Sequence, residues 1–299
     1  MDLSIIIVNY NTRGMTADCI ESVRSHTVGT DYEILLVDNA STDGSREFFG
    51  AMSGIRYIYL EENLGFGKAN NKALECACGR NVIFLNSDTL LTDDSLSVLS
   101  RYLDGHPEAG ACGGNLTRAD GSPNQSFERA FPGTWKEFDA FLNYIPSRIR
   151  HGRSRFYNHT GKPLEVAMIS GADLMVRKSV LDAVGGFDPR FFVYSEDVEL
   201  CRRVHLAGCK VMSVPAASIL HLGGKSTGAG VDPSYRIKAM RSQLAALKQY
   251  FDVTGEPGMF CKTLKWRRAQ ARTRILMHAF NKPLRDKWRA YLELYKSEI

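Results

Sequence analysis

The sequence predicts an α/β fold in which helices flank a mostly parallel sheet, followed by a basic helical extension at the C-terminus. Short and nearly continuous apolar runs recur in the first half of the chain, as in strands that are buried on both faces. Stretches of helix-forming sequence separate these runs, which is the pattern of βαβ units in a parallel sheet. Several runs end in a carboxylate or an amide, and ligands of such sheets bind beyond the carboxyl ends of the strands.

Each element of the first half follows from its local pattern. Strands rich in Ile, Leu, Val and Phe are predicted at residues 4–8, 33–37, 55–59 and 82–85. Helices are predicted at residues 16–25, directly after Gly44, at 65–78 and at 93–103. The second helix would be capped within the polar run from Ser41 to Gly44, because Ser, Thr, Asp and Gly favour the N-cap position.

Regularity is lost between residues 113 and 165 and then returns. This middle segment is rich in Gly, Pro, Asn, Ser and Arg and carries bulky aromatic residues, so we expect loops and short elements that cover the site as a flap. Beyond it, regular structure is predicted at 171–177, a strand at 210–214, and helices at 178–184 and 197–207. A glycine-rich loop at 223–228 precedes a region that is predicted to be helical from about residue 233, with a break near 254–258.

Composition separates the C-terminal region from the rest. The chain carries a net charge of +5, but residues 256–299 alone hold eleven Lys or Arg and four Asp or Glu, a net charge of +7. These cations are interspersed with Trp, Leu, Ile and Phe, a mixture typical of helices at a membrane surface. An amphipathic helix packed on the core, or a homodimer interface, would have the same composition. The sequence shows no nucleic-acid recognition module, so we expect no nucleic-acid partner.

The sequence predicts a cytoplasmic protein, or one peripheral to the inner face of the cell membrane. Its seven cysteines are scattered and form no CxxC pair, which fits a reduced protein without a zinc site. The N-terminal apolar run is shorter than a signal peptide requires, and no stretch approaches the ~20 apolar residues of a membrane span.

Carboxylates follow two strands and recur in a third cluster. Asp38 and Asp88 come after apolar runs, where a carboxylate suits a divalent ion that bridges two phosphates. Each would also fit an ordinary turn or cap position. Glu196 and Asp197 lie among aromatic residues, which favours a general base with a raised pKa, although acids also suit the first turn of a helix. His221 is interpreted either as a structural hydrogen-bonding group or as a metal ligand that joins Asp88.

Taken in order, the segments resemble the family 2 glycosyltransferases, which have the GT-A fold. The resemblance covers roughly residues 2–228. It rests on SIIIVNYN at 4–11, VDNASTDGS at 37–45, ENLGFGKANN at 62–71, LNSD at 85–88, GGFD at 185–188, EDVEL at 196–200 and PAASILH at 215–221. The run GFG at 65–67 and the run FFVYSED at 191–197 resemble the rhamnosyltransferase-like branch.

The resemblance implies an inverting glycosyltransferase. Such an enzyme moves a sugar, for example rhamnose, from a dTDP- or UDP-sugar to a saccharide or lipid-linked acceptor in the synthesis of cell-surface polysaccharide. It also implies a GT-A domain at 1–230, with a donor half at about 1–112 and an acceptor half at about 113–230, and a helical C-terminal extension at 231–299.

Site residues are carried over from the resemblance by position. Binding of the nucleotide-sugar is assigned to Asn9, Tyr10, Asn11, Asp38, Asn39, Gly65, Asn70, Asn86 and Ser87. Asp38 is expected to accept a hydrogen bond from the imide N–H of uracil or thymine. Glu196 and Asp197 are assigned to catalysis, with Asp197 as the base. Gly171 and Ala172 are assigned to the acceptor side of the pocket.

The resemblance also implies a divalent metal cofactor, Mg²⁺ or Mn²⁺, held by Asp88 and His221. One departure bears on this expectation: the metal-binding DxD motif reads Asn86-Ser87-Asp88, so its first carboxylate is missing. An amide can still hydrogen-bond a ribose hydroxyl, but it adds no negative charge. We therefore expect weaker metal binding than a complete motif would give.

Two other functions remain open at the level of sequence. A non-catalytic sugar-nucleotide binding module would explain Asn86, but the intact Glu196-Asp197 pair counts against it. A sugar-1-phosphate nucleotidyltransferase has a similar sheet, but those enzymes resemble one another in a basic glycine-rich loop after the first strand, where this chain has NYNTRG at 9–14. A nicotinamide-dependent dehydrogenase is disfavoured, because Asn70 replaces the third glycine of the dinucleotide fingerprint.

Overall fold

The computed structural model describes residues 1–223 and 233–298, and the chain divides into two units. The first comprises Met1–Arg129 and Arg153–Thr227, and the second comprises Ala130–Gly152 and Gly228–Ile299. The predicted boundary between residues 230 and 231 lies outside the described residues, as does most of the predicted glycine-rich loop at 223–228. In the part of the chain that is described, no helix is both long enough and apolar enough to span a membrane.

Strands and helices have the following bounds. The strands are β1 (Leu3–Asn9), β2 (Tyr32–Asp38), β3 (Arg56–Tyr59), β4 (Asn81–Asn86), β5 (Thr89–Leu91), β6 (Ala109–Thr117), β7 (Phe127–Glu128), β8 (Leu164–Glu165), β9 (Met168–Ile169), β10 (Asp173–Arg177) and β11 (Lys210–His221). The helices are α1 (Arg13–His26), α2 (Ser45–Gly50), α3 (Phe66–Leu74), α4 (Ser95–Gly105), α5 (Thr134–Phe141), α6 (Ile145–His151), α7 (Lys178–Val184), α8 (Glu196–Leu206), α9 (Pro233–Val253), α10 (Pro257–Met277) and α11 (Lys282–Ser297).

The first unit is built around a mixed sheet. Among the described residues, its strands follow the order β3-β2-β1-β4-β10-β6-β11-β5, with β8 paired to β11, while β7 and β9 pair separately. The strands β3, β2, β1 and β4 are parallel to one another, whereas β10 runs antiparallel to both β4 and β6. The predicted α/β fold is therefore confirmed, but the second half of the sheet is mixed, where we predicted a mostly parallel one.

The central strands are buried because helices cover the sheet. Ile5, Ile7 and Leu36 point into a cluster that contains side chains of α1 and α4, and α3 packs on β1 and β2. Leu3–Ile7 and Val82–Leu85 are buried at every position, so these strands carry apolar residues on both faces. This burial explains why the first half of the chain could be predicted from apolar runs alone.

Some local predictions differ from the structure. The helix predicted at 65–78 ends at Leu74, and β6 occupies the start of a segment that we expected to form loops. The glycines of β6 explain the second difference. A Cβ on Gly113 would lie 2.3 Å from the Cγ2 of Ile169, and one on Gly114 would lie 2.8 Å from the carbonyl oxygen of Ala217. Close neighbours thus require glycine in this strand, and glycine removes the apolar pattern that identifies strands in a sequence.

The second unit is helical. The predicted break near 254–258 separates α9 from α10, and a turn at 278–281, which was not predicted, separates α10 from α11. The ring of Trp266 on α10 lies 5.5 Å from the rings of both Phe138 and Phe141 on α5, measured between centroids. Aromatic residues of the segment that we predicted to form a flap are therefore packed on α10 within this unit.

Candidate active site

Sheet register brings many of the predicted site residues to one edge. Asn9 at the end of β1 lies beside Asp38 at the end of β2, and Asn86 at the end of β4 lies beside the residue before Asn9. On the other side, the backbone N–H of Asn86 donates to the carbonyl oxygen of Ala172 at 3.0 Å. His221 ends β11 and pairs with Thr89, the first residue of β5. Asp88 directly precedes Thr89 in the sequence, so it lies near His221. This edge is where ligands of α/β sheets bind.

Asp38 is a fully buried acceptor at this edge. Its Oδ1 accepts the backbone N–H of Ser41 at 2.9 Å, and its Oδ2 accepts the hydroxyl of Tyr57 at 2.8 Å. Burial and the neighbouring Asp38 carboxylate raise the pKa of Tyr57 well above its usual value, so the phenol stays a donor. A carboxylate can accept about four hydrogen bonds, so acceptor capacity remains. Tyr57 was not assigned a role from the sequence, where it is one of several aromatic residues in a strand.

The three residues after the core of β1 have different environments. Asn9 is buried, and its Oδ1 accepts the hydroxyls of Thr12 at 3.0 Å and Thr16 at 2.8 Å. Asn11 has a left-handed backbone (φ +54°), and its Oδ1 accepts the backbone N–H of Thr42 at 2.7 Å. Tyr10 is 46% exposed. Tyr10 and Asn11 therefore present side chains at the surface, while the amide of Asn9 orders the loop beneath them.

Asn39 fixes the loop that leads into α3. Its Nδ2 donates to the Oδ1 of Asn63 at 2.9 Å, and its Oδ1 accepts the backbone N–H of Leu64 at 2.9 Å. Within α3, Asn70 is buried and its side chain donates to the carbonyl oxygen of Phe66, the first residue of the helix, at 2.9 Å. These amides hold the backbone of the predicted nucleotide-binding loop in place.

Gly65 joins this loop to the segment that precedes the acidic pair. Its φ of +81° lies in the left-handed region, and a Cβ at this position would lie 2.2 Å from the carbonyl oxygen of Phe192. That same carbonyl oxygen accepts the backbone N–H of Phe66 at 2.9 Å. Only glycine allows the two backbones to approach this closely.

Glu196 and Asp197 form the first turn of α8. Tyr194 and Ser195, directly before them, both have left-handed backbones (φ +71° and +66°), which costs energy for residues with side chains. The Oδ2 of Asp197 accepts the backbone N–H of Gly171 at 2.9 Å. The strained turn and this hydrogen bond together fix where the half-buried Asp197 carboxylate lies.

The two adjacent carboxyl groups differ in burial and therefore in proton affinity. Burial, and then the negative charge of Asp197, raise the pKa of Glu196 to about 8. Among the described residues, the buried Oε2 of Glu196 has no hydrogen-bond partner. Two adjacent carboxylates do not both ionise easily, so the raised pKa of Glu196 favours Asp197 as the base of the pair. This arrangement supplies one base with a defined position.

Asp88 and His221 lie together, with 3.2 Å between Oδ1 and Nε2. The Nδ1 of His221 lies 3.4 Å from the Nδ2 of Asn124, and the Oγ of Ser87 lies 3.3 Å from the Oγ1 of Thr12. Within residues 1–223 and 233–298, no group of three or more His, Cys, Asp or Glu could hold a metal on its own. One carboxylate and one imidazole fit a divalent ion only if substrate phosphate oxygens supply further ligands, as is common for Mg²⁺.

Asp173 is a further buried acid that the sequence analysis did not single out. It begins β10, directly after Ala172, and its Oδ2 accepts the backbone N–H of Gly114 at 2.7 Å. Its Oδ1 has no partner among the described residues, and burial raises the pKa of this carboxyl to about 7. The sequence did hold a sign of this residue, because Asp173 is an acid that directly precedes the apolar run of β10.

Comparison with known proteins gives consistent matches. The model of glycosyl transferase family 2 matches residues 4–185, and that of glycosyl transferase family 21 matches residues 149–280. The chain is 32% identical over 225 residues to an N-acetylglucosaminyl-diphospho-decaprenol L-rhamnosyltransferase of Mycobacterium tuberculosis, covering 69% of this chain and 71% of that protein. It is 26% identical over 227 residues to the rhamnosyltransferase WbbL of Escherichia coli, covering 73% and 82%.

A solved structure shares the fold. The crystal structure of GalNAc-T7 with UDP, GalNAc and Mn²⁺ aligns with a TM-score of 0.57 and 16% identity, covering 84% of this chain and 50% of that one. At this identity the likeness concerns the fold alone.

Proposed function

The chain belongs to glycosyl transferase family 2, and from that premise we propose that it is an inverting hexosyltransferase that uses a dTDP- or UDP-sugar. The family implies a nucleotide-sugar donor and a glycosyl acceptor. The names of the relatives support rhamnose as the transferred sugar and a saccharide or lipid-linked molecule as the acceptor, within the synthesis of cell-surface polysaccharide. Membership of this family disfavours both the binding module and the nucleotidyltransferase.

One observation carries the proposed mechanism: Asp197 is half-buried and fixed by Gly171, beside a buried Glu196 whose pKa is raised to about 8. In the proposed step, Asp197 takes the proton of an acceptor hydroxyl. The acceptor oxygen forms a bond to the anomeric carbon while the bond from that carbon to the diphosphate oxygen breaks, and the leaving nucleoside diphosphate keeps the electron pair. Attack opposite to the leaving group inverts the anomeric configuration.

On the donor side, we propose that Asp38 reads the base and that the ribose and phosphates lie along the same edge. Asn9, Tyr10, Asn11, Asn39, Gly65, Asn70, Asn86 and Ser87 would bind or position this donor. The hydrogen bonds from Ser41 and Tyr57 orient the Asp38 carboxyl and leave it acceptor capacity for the imide N–H of uracil or thymine.

Enzymes with this fold commonly use a divalent metal ion, and we propose that Asp88 and His221 would hold one together with the donor diphosphate. The ion would neutralise charge on the departing diphosphate. The distance of 3.2 Å between the two side chains supports this pairing. The amide of Asn86 predicts a weaker dependence on metal than a full DxD motif would give.

The proposal extends to the rest of the chain. Residues 1–230 would form the catalytic domain, with the donor bound by about 1–112 and the acceptor by about 113–230, where Gly171 and Ala172 lie. Residues 231–299 would form an extension whose basic helices contact the inner face of the cell membrane, where a lipid-linked acceptor is found. A homodimer through the same helices is the competing arrangement.

Turnover of a panel of dTDP- and UDP-sugars, with and without Mn²⁺, tests this function. We expect one sugar nucleotide to bind and to be slowly hydrolysed. Asp197→Asn should lower its turnover by about 10²–10⁴-fold and leave donor affinity nearly unchanged, because a general base contributes to that extent. Asp182→Asn, an exposed acid on α7, is the control and should behave like the wild type. Near-normal turnover of Asp197→Asn would refute the assignment of the base.

A further inference from the structure

The turn between α10 and α11 exposes an unusual group of apolar side chains. Leu276 is 77% exposed, Met277 is 64% exposed, and Phe280 is fully exposed to solvent. Leu284, in the first turn of α11, is also exposed. Four large apolar side chains within nine residues form a patch of the kind that marks an interaction site on a soluble unit.

Hydrogen bonds hold this turn in one conformation. The Oδ1 of Asn281 accepts the backbone N–H of Leu284 at 3.1 Å and so caps α11. The guanidinium of Arg285 donates to the carbonyl oxygen of Ala279 at 2.7 Å, and the N–H of Asn281 donates to the carbonyl oxygen of His278 at 2.9 Å. The exposed side chains, Phe280 among them, therefore belong to a hydrogen-bonded turn.

Cations surround the apolar turn. Residues 272–289 contain six Lys or Arg and one acid, Asp286. Arg272, Lys282, Lys287 and Arg289 are exposed. An apolar tip with a basic rim is complementary to a bilayer that carries anionic headgroups above its acyl chains. A partner protein would need an acidic groove with an apolar floor. A second copy of this basic segment would repel the first, because both carry the same charge.

A cavity of about 490 Å³ lies within the second unit and reaches the turn. Its lining includes the ion pair of Glu137 with Arg267. Cations and apolar surface also share this space, from Arg274, His278, Leu284, Lys287 and Trp288. This mixture suits a phosphate group that is attached to an apolar chain, as in a phospholipid.

We propose that residues 276–284 form a membrane-docking tip that inserts Leu276, Met277 and Phe280 into the surface of an anionic bilayer. The surrounding cations contact the lipid phosphates. This inference rests on the membrane contact proposed above. It assigns that contact to one segment, residues 276–284.

Vesicle flotation of the full chain tests the tip, with phosphatidylcholine vesicles that contain or lack phosphatidylglycerol. The wild type should float with the anionic vesicles. Phe280→Ser should lose about tenfold or more in partitioning, because it removes a large apolar side chain from the acyl region of the bilayer. Lys282→Gln should lose roughly fivefold on anionic vesicles and little on neutral ones. Leu206→Ser, which changes an exposed apolar residue of α8, is the control and should float like the wild type.

Equal flotation of Phe280→Ser and the wild type would overturn the proposal. So would a wild type that stays with the unbound fraction, or one that forms a dimer which Phe280→Ser dissociates. Hydrolysis of the water-soluble donor is measured on the same preparations and should be unchanged in all of these variants. A wild type that floats but hydrolyses no donor would count against the proposed function and leave the docking tip intact.

Discussion

At the scale of the residue, the site depends on which of two adjacent carboxyl groups keeps its proton. The sequence predicted a general base with a raised pKa in the Glu196-Asp197 pair and assigned that base to Asp197. In the structure the raised pKa belongs to Glu196, while Asp197 accepts a backbone hydrogen bond. Sequence alone could not separate them, because neighbouring residues on a helix point about 100° apart and only the fold decides which one is buried. The partner of Asp38, Tyr57, was hidden for a similar reason, since it lies on a different strand.

The raised pKa of Glu196 makes a prediction about stability and pH. The carboxyl binds its proton more tightly in the folded chain, so its contribution to the free energy of unfolding is full below about pH 4.5 and is lost as the pH rises through about 8. Glu196→Gln keeps a neutral side chain throughout. Between pH 4.5 and about 8, the free energy of unfolding of the wild type should fall by up to about 1.4 kcal/mol per pH unit relative to that of this variant.

Urea unfolding of the wild type and Glu196→Gln across this pH range measures the difference. Glu61→Gln, at an exposed position, is the control and should show a pH dependence parallel to that of the wild type. If the Glu196→Gln curve also stays parallel to the wild type, Glu196 is ionised in the folded chain and the assignment of a single ionised base fails.

At the scale of the element, the order of strands and helices in the first half could be predicted, because each buried strand needs its own apolar run. The antiparallel direction of β10 could not, since no local pattern records which neighbour a strand will have. The turn at 278–281 did leave a signal: Asn281 is the N-cap of α11, and Pro283 follows at the start of the helix. The basic residues on both sides obscured that boundary by suggesting one continuous helix.

The loop into α3 gives a prediction about Gly65. Gly65→Ala places a methyl group 2.2 Å from the carbonyl oxygen of Phe192 and retains a left-handed backbone, so the loop must move away from the segment that leads to the acidic pair. With φ +81° and ψ 178°, the backbone conformation alone should cost about 1–3 kcal/mol for a residue with a side chain. The clash should add to that cost and should weaken donor binding.

Gly121→Ala is the matched control, because its φ of +75° is also left-handed but a Cβ there meets no atom within 4 Å. Urea unfolding and calorimetry with the donor would separate the two effects. The difference in unfolding free energy between the variants isolates the clash. Equal losses in both, with unchanged donor affinity, would show that the approach of Gly65 to Phe192 is not required.

At the scale of the whole molecule, the two units are built from segments that are far apart in the sequence. Residues 130–152 belong with the C-terminal helices, although the first of these, α9, begins only at Pro233. Sequence composition identified the C-terminal region by its charge, but it assigned the aromatic residues of 130–152 to a flap. Contacts between residues about 130 positions apart, such as Arg267 with Glu137, leave no local pattern.

This ion pair gives the last prediction. The guanidinium of Arg267 lies 3.0 Å from the carboxylate of Glu137, both side chains are largely buried, and the Trp266 ring packs on α5 beside them. Glu137→Leu should destabilise the second unit by roughly 3–5 kcal/mol, because it leaves a buried cation without its partner. The double variant Glu137→Leu with Arg267→Met should recover most of that loss, since two apolar side chains need no partner.

Lys248→Met, in the exposed pair with Asp252, is the control and should cost less than about 1 kcal/mol. Hydrogen exchange of α5 and α10, followed with urea, measures these changes for the second unit separately from the sheet. If the double variant is as unstable as Glu137→Leu, the loss comes from packing on α10, and the buried charge is not its cause.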